Sequence, residues 1–366
     1  MTIYIIDLES VPTRYTVQWK DGLPEALRKF IEDKGKNIDV VNISGGDTEM
    51  IATPGAFLNF AGTNVYKSNQ AIEVAKLFSE GKVNDGDKFL FTDAWNPAIF
   101  QVKYMAELLG KKVELQGIWH AGSYDPQDFL GRLIKDKRWS LGVEKALFWA
   151  LDKNHFATNF HIRMFVQTVL EVDEVTYDSQ QMPTDIVKRI CRSGQPHDRL
   201  MEHLEPFKNT PKRDLVLFPH RVAPEKQPEI FRDLATHLPE FEFVVCQDKQ
   251  LSKDEYHQLL GESKIVFSAN LQETLGISAM EAVMVNSLPI LPDRLSYTEM
   301  YYSAFRYNDE WTRDWDSYIK HRDELVEFIR ETMKNYDSLS HLLPLQREWL
   351  TRDYLRATAM FEELTK

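Results

Sequence analysis

Two carboxylates eight residues apart bound the run Glu273-Thr-Leu-Gly-Ile-Ser-Ala-Met-Glu281. The run follows one β-branched strand pattern, Ile265–Ser268, and precedes another, Pro289–Leu291, so Gly276 marks a turn from strand to helix. Glu273 then projects from a loop at the carboxyl end of a strand, and Glu281 lies a little over one turn into the helix. The backbone N–H groups around Leu275, Gly276 and Ile277 stand at the positive end of that helix, where a phosphate is readily received. Carboxylates beside such a receptor can accept hydrogen bonds from the hydroxyls of a sugar and a ribose. A second loop, Phe218-Pro-His-Arg221-Val-Ala-Pro-Glu-Lys226, follows an earlier strand pattern and carries a guanidinium and an ammonium five residues apart. A planar fork plus a point charge suits a diphosphate. Taken singly, these groups read as helix caps and surface cations, and only the ordered set points to phosphate and sugar chemistry.

The elements that must hold these groups are legible as a pattern. The chain has 366 residues, 43% hydrophobic and 27% charged, long enough for two cores. Its 8 Trp, 14 Tyr and 21 Phe exclude a disordered chain. Cys191 and Cys246 make neither a disulfide framework nor a four-Cys zinc site, which fits a reducing cytoplasm. The opening Met1-Thr-Ile-Tyr-Ile-Ile-Asp7 has no basic leader region and reads as a first strand. No stretch approaches the length of a membrane span. Strand and helix patterns alternate over residues 1–170 and begin again at 213, which predicts an α/β chain of two doubly wound parallel sheets. Residues 171–212, with Pro183, Pro196, Pro206 and Pro211 and one helix over Asp185–Arg192, read as the inter-domain connection. The second domain is expected over 213–345. Residues 346–366 are expected to form a terminal helix that packs toward the first.

The loop with Arg221, Glu225 and Lys226, and the loop from Glu273 to Glu281, with Pro289 and Pro292-Asp293 after them, resemble the donor half of GT-B glycosyltransferases of the large retaining family four. The resemblance covers Leu215–Glu299. It implies two Rossmann-like domains facing a central cleft and a nucleoside diphosphate sugar, UDP-linked above all, as co-substrate. Arg221 and Lys226 would hold the diphosphate, Glu273 the transferred sugar and Glu281 the ribose, with main-chain groups of Leu275, Gly276 and Ile277 near sugar and phosphate. Two positions depart from the family pattern: Asn286-Ser287 stands where a Gly is usual, and Gln227 follows the Lys in place of a Gly. In the first half, His120 in Gly117-Ile-Trp-His120-Ala-Gly-Ser-Tyr-Asp125 matches the family's His after a strand. That places it with Glu273 as a catalytic candidate, although a His beside Trp is also a common core arrangement.

The architecture implied assigns the first domain to the acceptor. Arg14, Tyr15 and Trp19 mix cation and aromatic after the first strand, and Tyr124, Asp125, Gln127, Arg132 and Lys135 do so after His120. Asn159 and Arg163 follow a short strand pattern at Phe156–Thr158. Aromatics interleaved with Arg and Lys suit stacked bases and phosphates, although snorkelling cations over a Trp give the same composition. The stretches Asp7–Trp19 and Trp119–Asp128 resemble phage-encoded glucosyl- and arabinosyltransferases that decorate hydroxymethylated cytosine in DNA. The resemblance implies a flipped base and the host cytoplasm as compartment. A modified tRNA base, a glycan or a lipid-linked sugar are the competing acceptors, and a sugar-nucleotide 2-epimerase or a non-catalytic binding module the competing classes. No strong basic amphipathic helix points to a membrane.

Asp85-Gly-Asp87 and Asp314-Trp-Asp316 have the spacing of metal-binding carboxylates but read as turns. A site furnished with Arg, Lys and a helix terminus needs no metal to carry a leaving diphosphate, so neither metal nor bound cofactor is expected. The formal charge of −12 divides unevenly. Residues 1–170 hold 20 Lys and Arg against 21 Asp and Glu, and residues 171–366 hold 24 against 35. The half assigned to the acceptor is nearly neutral and carries a cationic run at 132–138, so the overall charge does not exclude DNA.

Overall fold

The computed structural model describes residues 1–9, 18–46, 53, 59–178 and 181–366. It divides into two units: Met1–His197 with Arg356–Lys366, and Asp198–Leu355. Each is built on one parallel sheet. In the first unit the strands are β1 (Thr2–Ile6), β2 (Asp39–Ile43), β3 (Lys88–Phe91), β4 (Glu114–Ile118), β5 (Lys153–Phe156) and β6 (Ile190–Arg192), in the order β2-β1-β3-β4-β5-β6. In the second they are β7 (Arg213–Phe218), β8 (Glu242–Val245), β9 (Ser263–Phe267), β10 (Leu288–Pro292) and β11 (Arg306–Tyr307), in the order β11-β10-β9-β7-β8. The expected α/β class and the two doubly wound sheets are therefore present.

The local reasons are plain in the side chains. Inner strands of a parallel sheet are covered on both faces and need continuous apolar runs. In β1, Tyr4 and Ile6 enter one core with Phe89, Phe91 and Trp119. Ile3 and Ile5 enter the opposite one with Leu90 and Ile118, which is the two-residue strand period. The second unit's core sets Val216, Phe218, Ile265, Phe267 and Ile290 against Phe231, Leu325 and Ile329. Pro289 interrupts no ladder on its far side, because β10 has only β9 beside it there and meets β11 only from Leu291 onward.

Two boundaries differ from the sequence reading. The segment 171–212 is not a free-standing connection, because its residues up to His197 belong to the first unit and those from Asp198 to the second. The helix expected over Asp185–Arg192 stops at Arg189, and Ile190–Arg192 pair in register with Asn154–Phe156 as the sixth strand. Hydrogen bonding at an open sheet edge outweighs the linker-like proline content. The passage between units falls at His197/Asp198 instead. The terminal helix is also divided. Leu343–Leu350 belongs to the second unit, whereas Thr358–Leu364 belongs to the first. There Ala357, Met360, Phe361 and Leu364 close the core over Ile3 and Ile5. Lys88 Nζ donates to Glu363 O at 2.9 Å, and Lys36 donates to Thr365 O. Among the described residues no helix is long and apolar enough to cross a membrane.

One buried carboxyl organises the loops of the first unit's carboxyl edge. Glu144, fully buried on the helix Lys137–Ala150, accepts from Ser123 N at 2.6 Å and Trp95 Nε1 at 3.0 Å through Oε1. Its Oε2 accepts from Ser123 Oγ at 2.8 Å. Burial pushes this carboxyl up to about 7, against the opposing pull of the bonds from Ser123 and Trp95. An acid raised in the folded state gives stability below its unfolded value, and that stability is lost as pH rises through the folded value. Glu144→Gln can keep the two bonds at Oε1 and reverse the third, its amide nitrogen donating to Ser123 Oγ, so at pH 8 it should be more stable than wild type by about 1–3 kcal/mol. The gap should close below pH 5, which denaturant titrations at the two pH values would measure.

Candidate functional site

In the second unit, β7 is followed by β8 on one side and β9 lies on the other. The strand order reverses between β7 and β9, the place where open α/β sheets receive ligands at their carboxyl ends. The loops that leave these two strands are the two singled out in the sequence. Lys226, 6% exposed, donates to Gln272 O at 2.6 Å and to Glu273 Oε2 at 3.3 Å. Leu271 N donates to Glu225 O at 2.8 Å, which ties the loops by main chain as well. Arg221 pairs with Glu225 at 2.9 Å. Glu273 also receives Asn270 Nδ2 at 3.4 Å, and the same nitrogen bonds Tyr297 OH at 3.0 Å. Asn270 Oδ1 is buried with no partner among the described residues, so it can take a ligand hydroxyl.

Gly276 turns the chain into the helix Ile277–Met284 with φ +84°, and no side chain caps the helix start. A Cβ there would lie 2.9 Å from Tyr297 Cε1. The helix's first N–H groups have no carbonyl within the helix to bond and sit beside Glu273. Glu281 receives Tyr256 OH at 2.6 Å. Burial pushes its carboxyl up to about 7, only partly offset by that bond and by Lys253. The predicted set Arg221, Lys226, Glu273, Leu275, Gly276, Ile277 and Glu281 is therefore gathered on one edge of one unit. Tyr256, Asn270, Gln272 and Tyr297 complete it. Asn270 and Gln272 lay within three residues of Glu273, whereas nothing in the spacing distinguishes the two tyrosines.

The departures from the family pattern have structural answers. Asn286 adopts φ +64°, the left-handed conformation Asn tolerates best after Gly. Gln227 also sits at φ +51°. Its amide turns inward to Ala269 O at 2.6 Å and Thr312 O at 2.7 Å, bracing the loops from behind. The acidic turns are accounted for locally. Asp87 accepts from Thr2 N and Asn84 N, and Asp314 caps the helix Trp315–Lys334 through Ser317 N. Among the described residues no cluster of His, Cys, Asp and Glu is arranged to hold a metal ion.

The first unit has a strand-order reversal of its own, between β1 and β3, and a cavity of about 270 Å³ there. It is lined by Lys67, Asp93, Trp95, His120, Phe129 and Trp139 among others. Lys67 Nζ donates to Asp93 Oδ2 at 2.6 Å and to Trp95 O at 2.7 Å. Burial acts to raise the Asp93 carboxyl, but the ammonium, His120 and the Trp95 amide outweigh it and hold it below its usual range. His120 Nε2 lies 2.7 Å from Thr92 O. A carbonyl only accepts, so Nε2 carries the hydrogen and Nδ1 is the basic nitrogen. Burial lowers the imidazole's pKa, against the opposing pull of Asp93 and of the Thr92 carbonyl.

The other acceptor candidates are distributed differently. Arg14 and Tyr15 lie outside the described residues. Trp19 is wholly buried, edge-on to His120 and His197 at 4.9 and 6.0 Å, and is core. Tyr124 is buried with its hydroxyl 2.6 Å from His161 Nε2, and Asp125 is a buried turn cap for Gln127 N. Gln127 and Asn159 are exposed and are not among the residues that line the cavity. Arg163 is held by Glu174 and Asp178 over the Tyr177 ring. Arg132 is half-buried, and Lys135 is exposed and bonded to Arg132 O. Aromatic and cationic residues pack and stack with the same composition, so the sequence could not separate core from surface here. Asp93 and Trp95 were missed, although they stand just past β3 at the reversal.

The fold defined by these two parallel-sheet units is the GT-B fold. No family model matches the sequence, and no curated protein matches it. Solved structures do. HepE from Anabaena, in complex with UDP and glucose, matches 100% of this chain with 98% of its own at TM-score 0.57 and 10% identity. The lipopolysaccharide outer core galactosyltransferase WaaB matches over 100% of both chains at 0.57 and 12%. Sucrose-phosphate synthase from Thermosynechococcus elongatus matches 99% of this chain with 97% of its own at 0.60 and 11%. At such identities the likeness establishes the fold.

Gly276→Ala should strain a left-handed turn and crowd Tyr297, at a cost of roughly 1–3 kcal/mol. Urea denaturation would read it, and unchanged stability would show that the turn relaxes freely.

Proposed function

We propose that this protein is a glycosyltransferase of the retaining, family-four kind, moving a sugar from a nucleoside diphosphate sugar, with UDP as the nucleotide, to a hydroxyl acceptor. The observation that carries the reading is the joint placement of Lys226, Glu273 and the Gly276 helix start at the second unit's strand-order reversal. Its support from likeness is a fold shared with WaaB, a galactosyltransferase, and with HepE, solved with UDP and glucose.

The roles we assign come from the family resemblance, and the geometry is compatible with them. Arg221 and Lys226, with the first-turn amides after Gly276, neutralise charge that develops on the departing diphosphate. Glu273 and Asn270 accept hydroxyls of the transferred sugar, and Glu281 those of the ribose once Tyr256 yields its bond. The sugar's anomeric carbon loses its bond to the phosphate oxygen and gains one to the acceptor oxygen on the same face. The acceptor's proton passes to the leaving phosphate. No metal is assigned a part.

For the acceptor we propose hydroxymethylated cytosine in phage DNA, receiving a glucosyl or arabinosyl group. The support is the resemblance around Asp7–Trp19 and Trp119–Asp128, together with the exposed Lys135 and Trp139. A modified tRNA base or a glycan is the second reading, and a sugar-nucleotide 2-epimerase the third.

Glu273→Ala should lower transfer by at least about a hundredfold with circular dichroism unchanged. Near-normal turnover would remove Glu273 from the site. Lys226→Ala should weaken UDP binding roughly tenfold or more, read by calorimetry. Transfer should persist in excess chelator; loss restored by Mg²⁺ or Mn²⁺ would overturn the metal-free assignment. Nucleotide sugars offered with hydroxymethylated DNA, plain DNA and tRNA should add a sugar's mass to hydroxymethylcytidine, and an increment on tRNA alone would transfer the reading to the second acceptor.

A further inference from the structure

We propose that Arg294 is a positioning residue for the donor's sugar: with Gln227 it clamps the main chain that carries Asn270, and so sets the acceptors that receive the sugar's hydroxyls. This rests on the transferase reading, which assigns Asn270 and Glu273 to the transferred sugar.

Arg294 stands in the loop after β10 and reaches across to the loop after β9. Its Nε donates to Asn270 O at 2.8 Å, and its Nη2 to Ala269 O at 2.8 Å. Nη1 donates to Asp309 O at 3.0 Å, and Nη2 also reaches Thr312 O at 3.1 Å and Thr312 Oγ1 at 3.2 Å. All these partners are neutral oxygens, so the guanidinium serves here as a planar fork of fixed donors. Gln227 reaches two of the same carbonyls, Ala269 O and Thr312 O, from the loop after β7. Each of those oxygens thus takes one donor from either side chain, which occupies both its lone pairs.

The backbone is strained to build this clamp. Gln227 and Leu295, the residue after Arg294, hold φ +51° and +60°, the left-handed region that favours Gly. Strained turns persist where surrounding contacts over-determine them, and here two of them flank or carry side chains that meet at one pair of carbonyls. Asn270 receives the result. Arg294 holds its main-chain oxygen, while its Nδ2 donates to Tyr297 OH at 3.0 Å and Glu273 Oε2 at 3.4 Å. Its Oδ1, wholly buried and without a partner among the described residues, remains for a ligand hydroxyl. The diphosphate receptor is held separately, by Lys226 on Gln272 O and Leu271 N on Glu225 O. Loosening the clamp therefore acts on the sugar and spares the nucleotide.

The test titrates UDP, UDP-glucose and UDP-arabinose calorimetrically into wild type, Arg294→Lys, Asn270→Ala and the double variant. Lys keeps the charge but not the fork. Arg294→Lys should therefore weaken whichever sugar nucleotide wild type binds by about tenfold and leave UDP within about twofold. Gln227→Gly suits the left-handed turn and keeps the fold; it should give the same selective loss at about threefold. In the Asn270→Ala background Arg294→Lys should cost nothing further, because its effect runs through Asn270. Equal losses for UDP and the sugar nucleotide would make Arg294 a brace of the fold and overturn the proposal. Additive losses in the double variant, or Arg294→Lys binding like wild type, would overturn it too. Wild type that binds UDP but neither sugar nucleotide would remove the sugar subsite and the proposal while sparing the nucleotide site. Wild type that binds none of the three would contradict the donor reading itself, and the proposal with it.

Discussion

Lys226 is a cation with almost no access to water, and such a group must be answered by acceptors or it does not stay charged and buried. The answer comes from a carbonyl and a carboxylate on the loop after β9, Gln272 and Glu273, reached from the loop after β7. That reach draws two chain exits together, and the bond from Leu271 N to Glu225 O locks them. Only then does the chain arrive at Gly276 positioned to start a helix whose uncapped end faces the same spot. Arg221, Asn270 and Tyr297 take their places around this clasp. Without a ligand the cation and carboxylate satisfy one another, so the site holds its shape by itself. A diphosphate can enter by sharing the ammonium.

The second unit's loop cluster was legible because it is local. Glu273, Gly276 and Glu281 lie on one loop and helix, and Arg221 and Lys226 on another, so spacing alone carries their geometry. Parallel strands bring both loops to one edge without further information. Tyr256 and Tyr297 were not legible, because they enter the site from elements whose faces are set by tertiary packing. The same limit hid β6. Ile190–Arg192 continue a helical pattern in sequence, and only the open edge of β5 converts them to a strand.

The first unit was harder to read for a reason in the residues themselves. Trp19, Tyr124 and Asp125 have the types expected of a surface that binds bases, yet they form core contacts and a turn. Aromatic rings beside polar caps satisfy a buried loop as readily as they satisfy a ligand. What separates the cases is exposure: Trp139, which follows the cationic run at 132–138, stays 52% exposed at the cavity that Asp93 and His120 also line. His120 was placed by its position after a strand. Its tautomer could come only from the carbonyl of Thr92.

The division of the terminal segment has a consequence for how the molecule is made. The first unit contains the first 197 residues and the last eleven, with the whole second unit inserted between them. Met360, Phe361 and Leu364 lie over Ile3, Ile5 and Leu90, each worth roughly 1.5–3 kcal/mol when buried. The second unit's sequence is therefore made before the segment that completes this face, which until then is covered by Trp19, Leu23, Leu27 and Ile31 alone. In that interval the patch under Met360, Phe361 and Leu364 must be kept from other chains.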